Sequence, residues 1–193
     1  MTKIKWQKKT ASLRCRLCGF EGSGNRTLRL VDGQGFVVAP IECPRCLSLE
    51  ILAHPRDFSQ TEFETDAYVE SGAGIDAIAS MVCSMPHDAV TNFLDVGCGY
   101  GFSLAIARDM CGWSVSGFEP SLLGSAGAQA LGVEIRNEFF TPASELSHAP
   151  DFILSSEVIE HVPEPVAFLE NLRRQMSDSC VLYLSTPNRT VIS

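Results

Sequence analysis

The sequence predicts an α/β fold in which a mostly parallel sheet with flanking helices follows a small, metal-stapled ribbon. Three observations carry that expectation. From residue 91 onward, short apolar runs rich in Val, Ile, Leu and Phe alternate with segments of helical period. The first of these runs ends in a glycine-rich turn, DVGCGYG, from Asp95 to Gly101. Upstream, two Cys-x-x-Cys pairs fall within the first 46 residues.

Composition bounds the rest. The chain has 193 residues, 45% of them hydrophobic and 20% charged, which excludes a mainly disordered or collagen-like protein. No apolar run approaches the ~18 residues of a membrane helix, and the basic opening MTKIKWQKKT leads into polar sequence. With neither a span nor a secretory signal visible, a cytoplasmic location is expected. The net charge of −8 is segregated: residues 1–30 hold eight basic side chains against Glu21 alone, and the remainder holds seven basic against 22 acidic. That acidic remainder argues against a large nucleic-acid surface.

The cysteines supply the first chemistry. Cys15 and Cys18 form one pair and Cys43 and Cys46 the other, whereas Cys83, Cys98, Cys111 and Cys180 are scattered singly. A two-residue gap lets both thiolates of a pair reach one ion about 2.3 Å away, and two pairs complete a tetrahedron. Gly19 and Pro44 suit tight knuckle turns, and the alternating TLRLVD and GFVVAPIE between the pairs read as strands. Residues 1–52 are therefore expected to be a zinc ribbon. With four protein ligands the zinc has no open position, so its role is structural.

The polar HPRDFSQTEFETD marks a linker over 53–66, and 67–193 forms the second domain. Its first helix runs from Ile75 to Met85, stopped by Pro86. Then come TNFLDVG, WSVSGFE, VEIRN, DFILSSEV and CVLYLST as five strands. The segments FSLAIARDMC, SLLGSAGAQAL and PVAFLENLRRQM are the helices between them. In such a sheet, ligands bind at the carboxyl ends of the strands.

The turn after the first strand indicates which ligand. A dinucleotide site wants G-x-G-x-x-G, but here the third glycine comes one residue early and Asp95 stands two before the first. An acid there repels a diphosphate and attracts an ammonium. Glu119, ending the second strand, is placed to accept from ribose hydroxyls. The inferred ligand has an amino group, a ribose and no phosphate.

DVGCGYG, GFEPS, EVIEHVPEP and LYLSTPN, in this order, resemble the class I S-adenosylmethionine-dependent methyltransferases over residues 91–188. The added Cys-x-x-Cys pairs make the chain similar to a zinc-ribbon-bearing branch that includes sugar and small-molecule methyltransferases. The resemblance implies a Rossmann-like domain in which Asp95, Gly97, Gly99 and Gly101 hold the methionine part of S-adenosylmethionine, and Glu119 its ribose. It places Asn137 to Phe140 beside the adenine, with Phe139 or Phe140 as a stacking face.

Glu157, Glu160 and His161 leave the carboxyl end of the fourth strand, where the methyl group would be presented. His161, of a residue type that ionises near neutrality, is the natural base for an acceptor, with Glu160 or Glu157 to orient it. The expected function is methyl transfer to oxygen or carbon of a small molecule, such as a sugar. The alternatives are a noncatalytic nucleoside-binding and zinc-ribbon interaction module, or the cofactor-binding fragment of a longer methyltransferase. Family members continue past the fifth strand, whereas here five residues follow CVLYLSTPN. The apolar fifth strand is accordingly expected at a sheet edge, open to a second copy or a partner chain.

Overall fold

The structure, a computed structural model, describes residues 9–26, 30–31, 37–38, 40–50, 75–85 and 89–187. The expected linker, 53–66, and the expected start of the second domain, 67–74, lie outside the described residues. Contacts divide the chain into two compact units, Met1–Pro55 with Pro163–Ala167, and Arg56–Val162 with Phe168–Ser193.

The first unit is built from strands β1 (Lys9–Arg14), β2 (Glu21–Arg26), β3 (Leu30–Val31), β4 (Val37–Val38), β5 (Ile41–Glu42) and β6 (Leu49–Glu50). They form an antiparallel sheet in the order β1-β2-β5-β6, with β3 and β4 paired separately. Its core is small, with Leu13 and Ile41 buried beside Cys15 and Cys43, and with Ala11 and Phe20 packed on them.

The second unit begins with helix α1 (Ile75–Ser84) and strand β7 (Asn92–Val96). Helix α2 (Phe102–Cys111), strand β8 (Ser114–Phe118), helix α3 (Leu122–Leu131) and strand β9 (Ile135–Arg136) follow. Strand β10 (Phe152–Ser156), a 3-10 turn (Ile159–His161), helix α4 (Pro165–Gln175), of which Phe168 onward belongs to this unit, and strand β11 (Val181–Ser185) complete it. All five strand segments of the sequence reading are present, although the third is reduced to two residues.

These strands form one sheet, ordered β11-β10-β7-β8-β9, and every pairing is parallel. The chain starts in the centre, moves outward through β8 and β9, and then returns to the other side of β7. The carboxyl ends of β7 and β10 thus flank the point where the order reverses, which is where open parallel sheets bind ligands.

Both faces are covered, which is why the strands read as continuous apolar runs. On one face Phe93, Phe152 and Leu154 pack with Val82 of α1 and Leu104 and Ala107 of α2. On the other, Leu94, Val96, Phe118 and Ile153 meet Phe168 and Leu172 of α4. The first face holds an aromatic stack, with the Phe93 and Phe152 rings 5.3 Å apart and Trp113 against the edge of Phe152. Arg108 of α2 donates to the carbonyls of Leu131 and Gly132 at the end of α3, tying the two helices together. Strand β11 lies at the sheet edge as expected, with Val181, Tyr183 and Leu184 exposed. Among the described residues no helix is long and apolar enough to cross a membrane.

Helix α3 lies so close to the glycine-rich turn that a Cβ on Gly127 would sit 1.8 Å from the Tyr100 carbonyl oxygen. That obstacle is backbone and cannot rotate away. Gly127→Ala should therefore destabilise the second unit by about 2 kcal/mol or more, despite alanine's better helix propensity, as read by urea unfolding.

Candidate active site and metal centre

The turn between β7 and α2 is held by backbone. The N–H groups of Gly97 and Cys98 both donate to the Phe118 carbonyl, at 2.8 and 3.2 Å, lacing the turn to β8. Gly97 and Gly101 take left-handed φ values of 83° and 85°, and neither site has room for a side chain. A Cβ on Gly97 would meet Val158 at 2.2 Å, and one on Gly101 would meet Ile135 at 2.7 Å. Gly101 is also the N-cap of α2, so the helix starts without a capping side chain and its first turn faces the end of the sheet.

Asp95 sits on β7 with 3% of its surface exposed, and the Ser103 hydroxyl of α2 donates to its Oδ2. Burial pushes its carboxyl up to about 7, Ser103 acts in the opposite sense, and the charge of Glu119 adds to the rise. Glu119 follows the end of β8, where its Oε2 accepts the Gly99 N–H at 3.1 Å and its Oε1 accepts the Ser121 N–H at 2.9 Å. One carboxylate thus joins the glycine turn to the start of α3. Nearby, the Ser121 hydroxyl is buried with no hydrogen-bond partner among the described residues.

The segment after β9 divides its work. The Asn137 amide nitrogen donates to the carbonyls of Glu119 and Ser121, at 2.7 and 2.6 Å, and its oxygen accepts from Ser125. It clips the β8–α3 turn in place. Phe140 packs edge-on against Phe118, at 5.1 Å and 72°, and belongs to the core. Phe139 is 59% exposed and presents an open ring face beside them in sequence.

Beyond β10, Glu157 takes φ 57°, an uncommon conformation for a residue with a side chain. The strain is held by β11, because the Glu157 N–H donates to the Ser185 carbonyl at 3.0 Å and the Ser185 hydroxyl to Glu157 Oε1 at 3.4 Å. The twist sends Val158 onto Gly97 and then forms the 3-10 turn carrying Glu160 and His161. The Thr186 hydroxyl donates to Glu160 Oε2 at 3.1 Å, and His161 Nε2 lies 4.0 Å from Glu160 Oε1. The turn that bears these groups therefore rests on the turn that bears the glycines.

Sequence reasoning missed Ser103, Gly127, Ser185 and Thr186. Ser103 carried a readable signal, as a small hydroxyl in the first helical turn after a buried acid. The other three act on residues distant in sequence, and nothing local marks them.

In the first unit, the four Sγ atoms of Cys15, Cys18, Cys43 and Cys46 lie within 4.8 Å of one another. Cys15 and Cys46 are 3.6 Å apart and Cys18 and Cys43 are 3.7 Å apart. Four sulfurs bound tetrahedrally at about 2.3 Å would be spaced at roughly 3.8 Å, so the donor set fits a zinc ion. Two matching knuckles build it. In the first, Gly19 N–H donates to the Cys15 carbonyl and Cys15 N–H to the Phe20 carbonyl; in the second, Leu47 and Cys43 do the same with Cys43 and Ser48. Pro44 lies in the turn of the second knuckle, as expected, and the position equivalent to Gly19 is held by Leu47, at φ 61°. The Ser48 hydroxyl lies 3.2 Å from Cys46 Sγ and 3.3 Å from Cys15 Sγ, and it pulls the Cys46 thiol down to about 6.

A family model described as a methyltransferase domain matches residues 53–192. The chain belongs to that family. Among curated proteins it is 33% identical over 105 residues to a ubiquinone biosynthesis O-methyltransferase of Parvibaculum lavamentivorans, which is 51% of this chain and 41% of that protein. The protein of the same name from Rhizobium etli is 35% identical over 106 residues, 51% of this chain and 42% of that one. The chain thus spans less than half the length of the curated relatives it matches. Among solved structures, the plantazolicin methyltransferase BpumL in complex with SAH superposes with a TM-score of 0.56 at 18% identity, covering 67% of this chain and 54% of that one. Streptomyces venezuelae DesVI gives 0.51 at 18%, covering 63% and 54%. These likenesses establish the fold, which is that of the class I S-adenosylmethionine-dependent methyltransferases.

The residues at the sheet end suit that cofactor. Two carboxylates close enough to feel each other's charge would be matched by an ammonium, and the buried Ser121 hydroxyl beside Glu119, with no partner among the described residues, would be a further polar group for a nucleoside.

Two outcomes follow from these sites. Asp95 has an ordinary pKa of 3.8 and a folded one of about 7, so between those values the unfolded chain gives up a proton that the folded chain keeps. Its contribution to stability is present at pH 4 and is lost as pH rises through 7, by up to about 4 kcal/mol. Urea unfolding at pH 4 and 8 should show that loss in the ligand-free protein, and Asp95→Asn should flatten it. Metal analysis of protein purified without chelator should find one zinc per chain, and Cys43→Ser should abolish it.

Proposed function

We propose that this domain transfers a methyl group from S-adenosylmethionine to a hydroxyl oxygen of a small molecule. The observation that carries the reading is the meeting of two turns at the reversal point of the sheet. One bears Asp95, the three glycines and Glu119, and the other bears Glu157, Glu160 and His161.

The cofactor supplies an electrophilic methyl on a sulfonium. In this reading Asp95, ionised, faces the ammonium, Glu119 accepts from the ribose hydroxyls, and Ser121 adds a polar contact. Phe139 offers its exposed ring to the adenine, Asn137 holds the adjoining turn, and Phe140 supports it from the core. His161 would take the proton that the acceptor hydroxyl loses on methylation, as the carbon–sulfur bond breaks to leave a neutral thioether, and Glu160 would stabilise the resulting imidazolium. The curated relatives' description as O-methyltransferases supports oxygen over carbon as the acceptor atom. A sugar remains one acceptor class to test. The zinc ribbon is read as structural, residues 1–52, joined through 53–66 to the cofactor domain, 67–193. Among the described residues β11 is an edge strand, which supports pairing there with a second chain, and mass measurement in solution would detect it.

Calorimetry with S-adenosylmethionine tests the core of the reading. Asp95→Ala and Glu119→Ala should each weaken binding about ten- to a hundredfold, the cost of a charge-assisted hydrogen bond. His161→Ala should leave that affinity unchanged and lower the turnover number by about a hundredfold on any hydroxylated acceptor found in a panel of sugars and phenols. Unchanged affinity in both carboxylate variants would remove the site.

A further inference from the structure

The carboxyl end of β11 is laced to the turn after β10 by side chains that the proposed reaction does not use. Ser156 and Ser185 hydroxyls meet at 2.7 Å, Ser185 reaches Glu157 Oε1, and Thr186 donates to Glu160 Oε2. The two oxygens of Glu160 therefore face different ways. Oε2 is held by Thr186, while Oε1 lies 4.0 Å from His161 Nε2, longer than a hydrogen bond and within reach of its charge.

The geometry points to Thr186 as a positioning residue that sets the tautomer of His161 through Glu160. The proposal rests on the reading of His161 as the acceptor's base. Physically, a carboxylate beside Nε2 favours the neutral ring that carries its proton there, and such a ring has Nδ1 as its basic nitrogen. Glu160 is a long side chain on a single 3-10 turn, with three rotatable bonds and no helix to confine it. The Thr186 hydroxyl fixes one oxygen and thereby aims the other. Threonine suits this because its β-branch restricts χ1, so the hydroxyl is itself oriented by the backbone at the end of β11. The strained backbone of Glu157, bonded to Ser185, keeps the turn and the strand end in register while this happens.

The test is long-range nitrogen NMR of the full chain labelled at histidine, with the His161 signals assigned by their loss in His161→Gln. In the neutral ring of the wild type, the proton should reside mainly on Nε2. Thr186→Val should shift the tautomer ratio about threefold or more toward Nδ1–H, Thr186→Ser should keep the wild-type ratio, and Glu160→Gln should shift it as Thr186→Val does. Calorimetry with S-adenosylmethionine should give wild-type affinity for both Thr186 variants, since neither touches the cofactor residues. A wild-type ring protonated on Nδ1, or a Thr186→Val ratio equal to wild type, overturns the proposal. Because the readout belongs to the ring and not to turnover, a chain that transfers no methyl group yet loses its Nε2–H form in Thr186→Val supports the positioning role and rejects the base role.

Discussion

A carboxyl group sealed between a sheet and a helix constrains everything around it. Asp95 stands near the end of the central strand, walled in by its own sheet and by α2, with the Ser103 hydroxyl as its hydrogen-bond donor. Burial of this kind disfavours the charge, and the Glu119 carboxylate across the glycine turn disfavours it further. The site is thus poised for a cation, and in its absence the cheapest response is to hold a proton. The glycine turn between the two acids follows from the same crowding. Its backbone bonds to the Phe118 carbonyl on one side and to Glu119 on the other, and its lack of side chains lets Val158 lie directly over it.

The ribbon meets a different constraint. Leu13 and Ile41 are its fully buried aliphatic side chains among the described residues, too few to hold six short strands together. Four thiols gathered at the ends of two equivalent knuckles do what a core would otherwise do, once a metal joins them. Behind the knuckles, Glu50 is buried and takes both the backbone N–H and the guanidinium of Arg16, at 3.1 and 2.8 Å. Arg16 thereby neutralises the Glu50 carboxylate, whose Oε1 lies 3.7 Å from Cys15 Sγ.

Much of this was legible because it rests on local pattern. The five strands announced themselves as apolar runs, and the four cysteines and three glycines by spacing that few other structures require. What stayed hidden depends on contacts between distant segments. Leu47 carries no sign of a left-handed turn, since it adopts the conformation only to complete a knuckle that Gly19 forms without strain. Gly127 reads as an ordinary small helical residue, and its role emerges only where the Tyr100 carbonyl approaches it. Phe139 and Phe140 are adjacent and chemically identical, so nothing local could say that Phe140 would enter the core and Phe139 would face outward. Thr186 and Glu160 are 26 positions apart, joined by strand register alone.

The strand order carries a kinetic consequence. β7, β8 and β9 are neighbours in sequence as well as in space, so the half of the sheet that bears both acids assembles through short-range closures. β10 must instead return past them to pair with β7, and the Asp151 carboxylate that anchors its entry accepts the N–H groups of Thr91 and Asn92, the latter 59 residues away. Bringing such distant segments together is the slow, entropically costly step of a parallel topology. A ribosome extruding this chain would therefore release the half of the sheet that bears Asp95 and Glu119 before β10 and β11 have been made. Among the described strands, the contacts between the ends of β10 and β11 form after those of β7, β8 and β9.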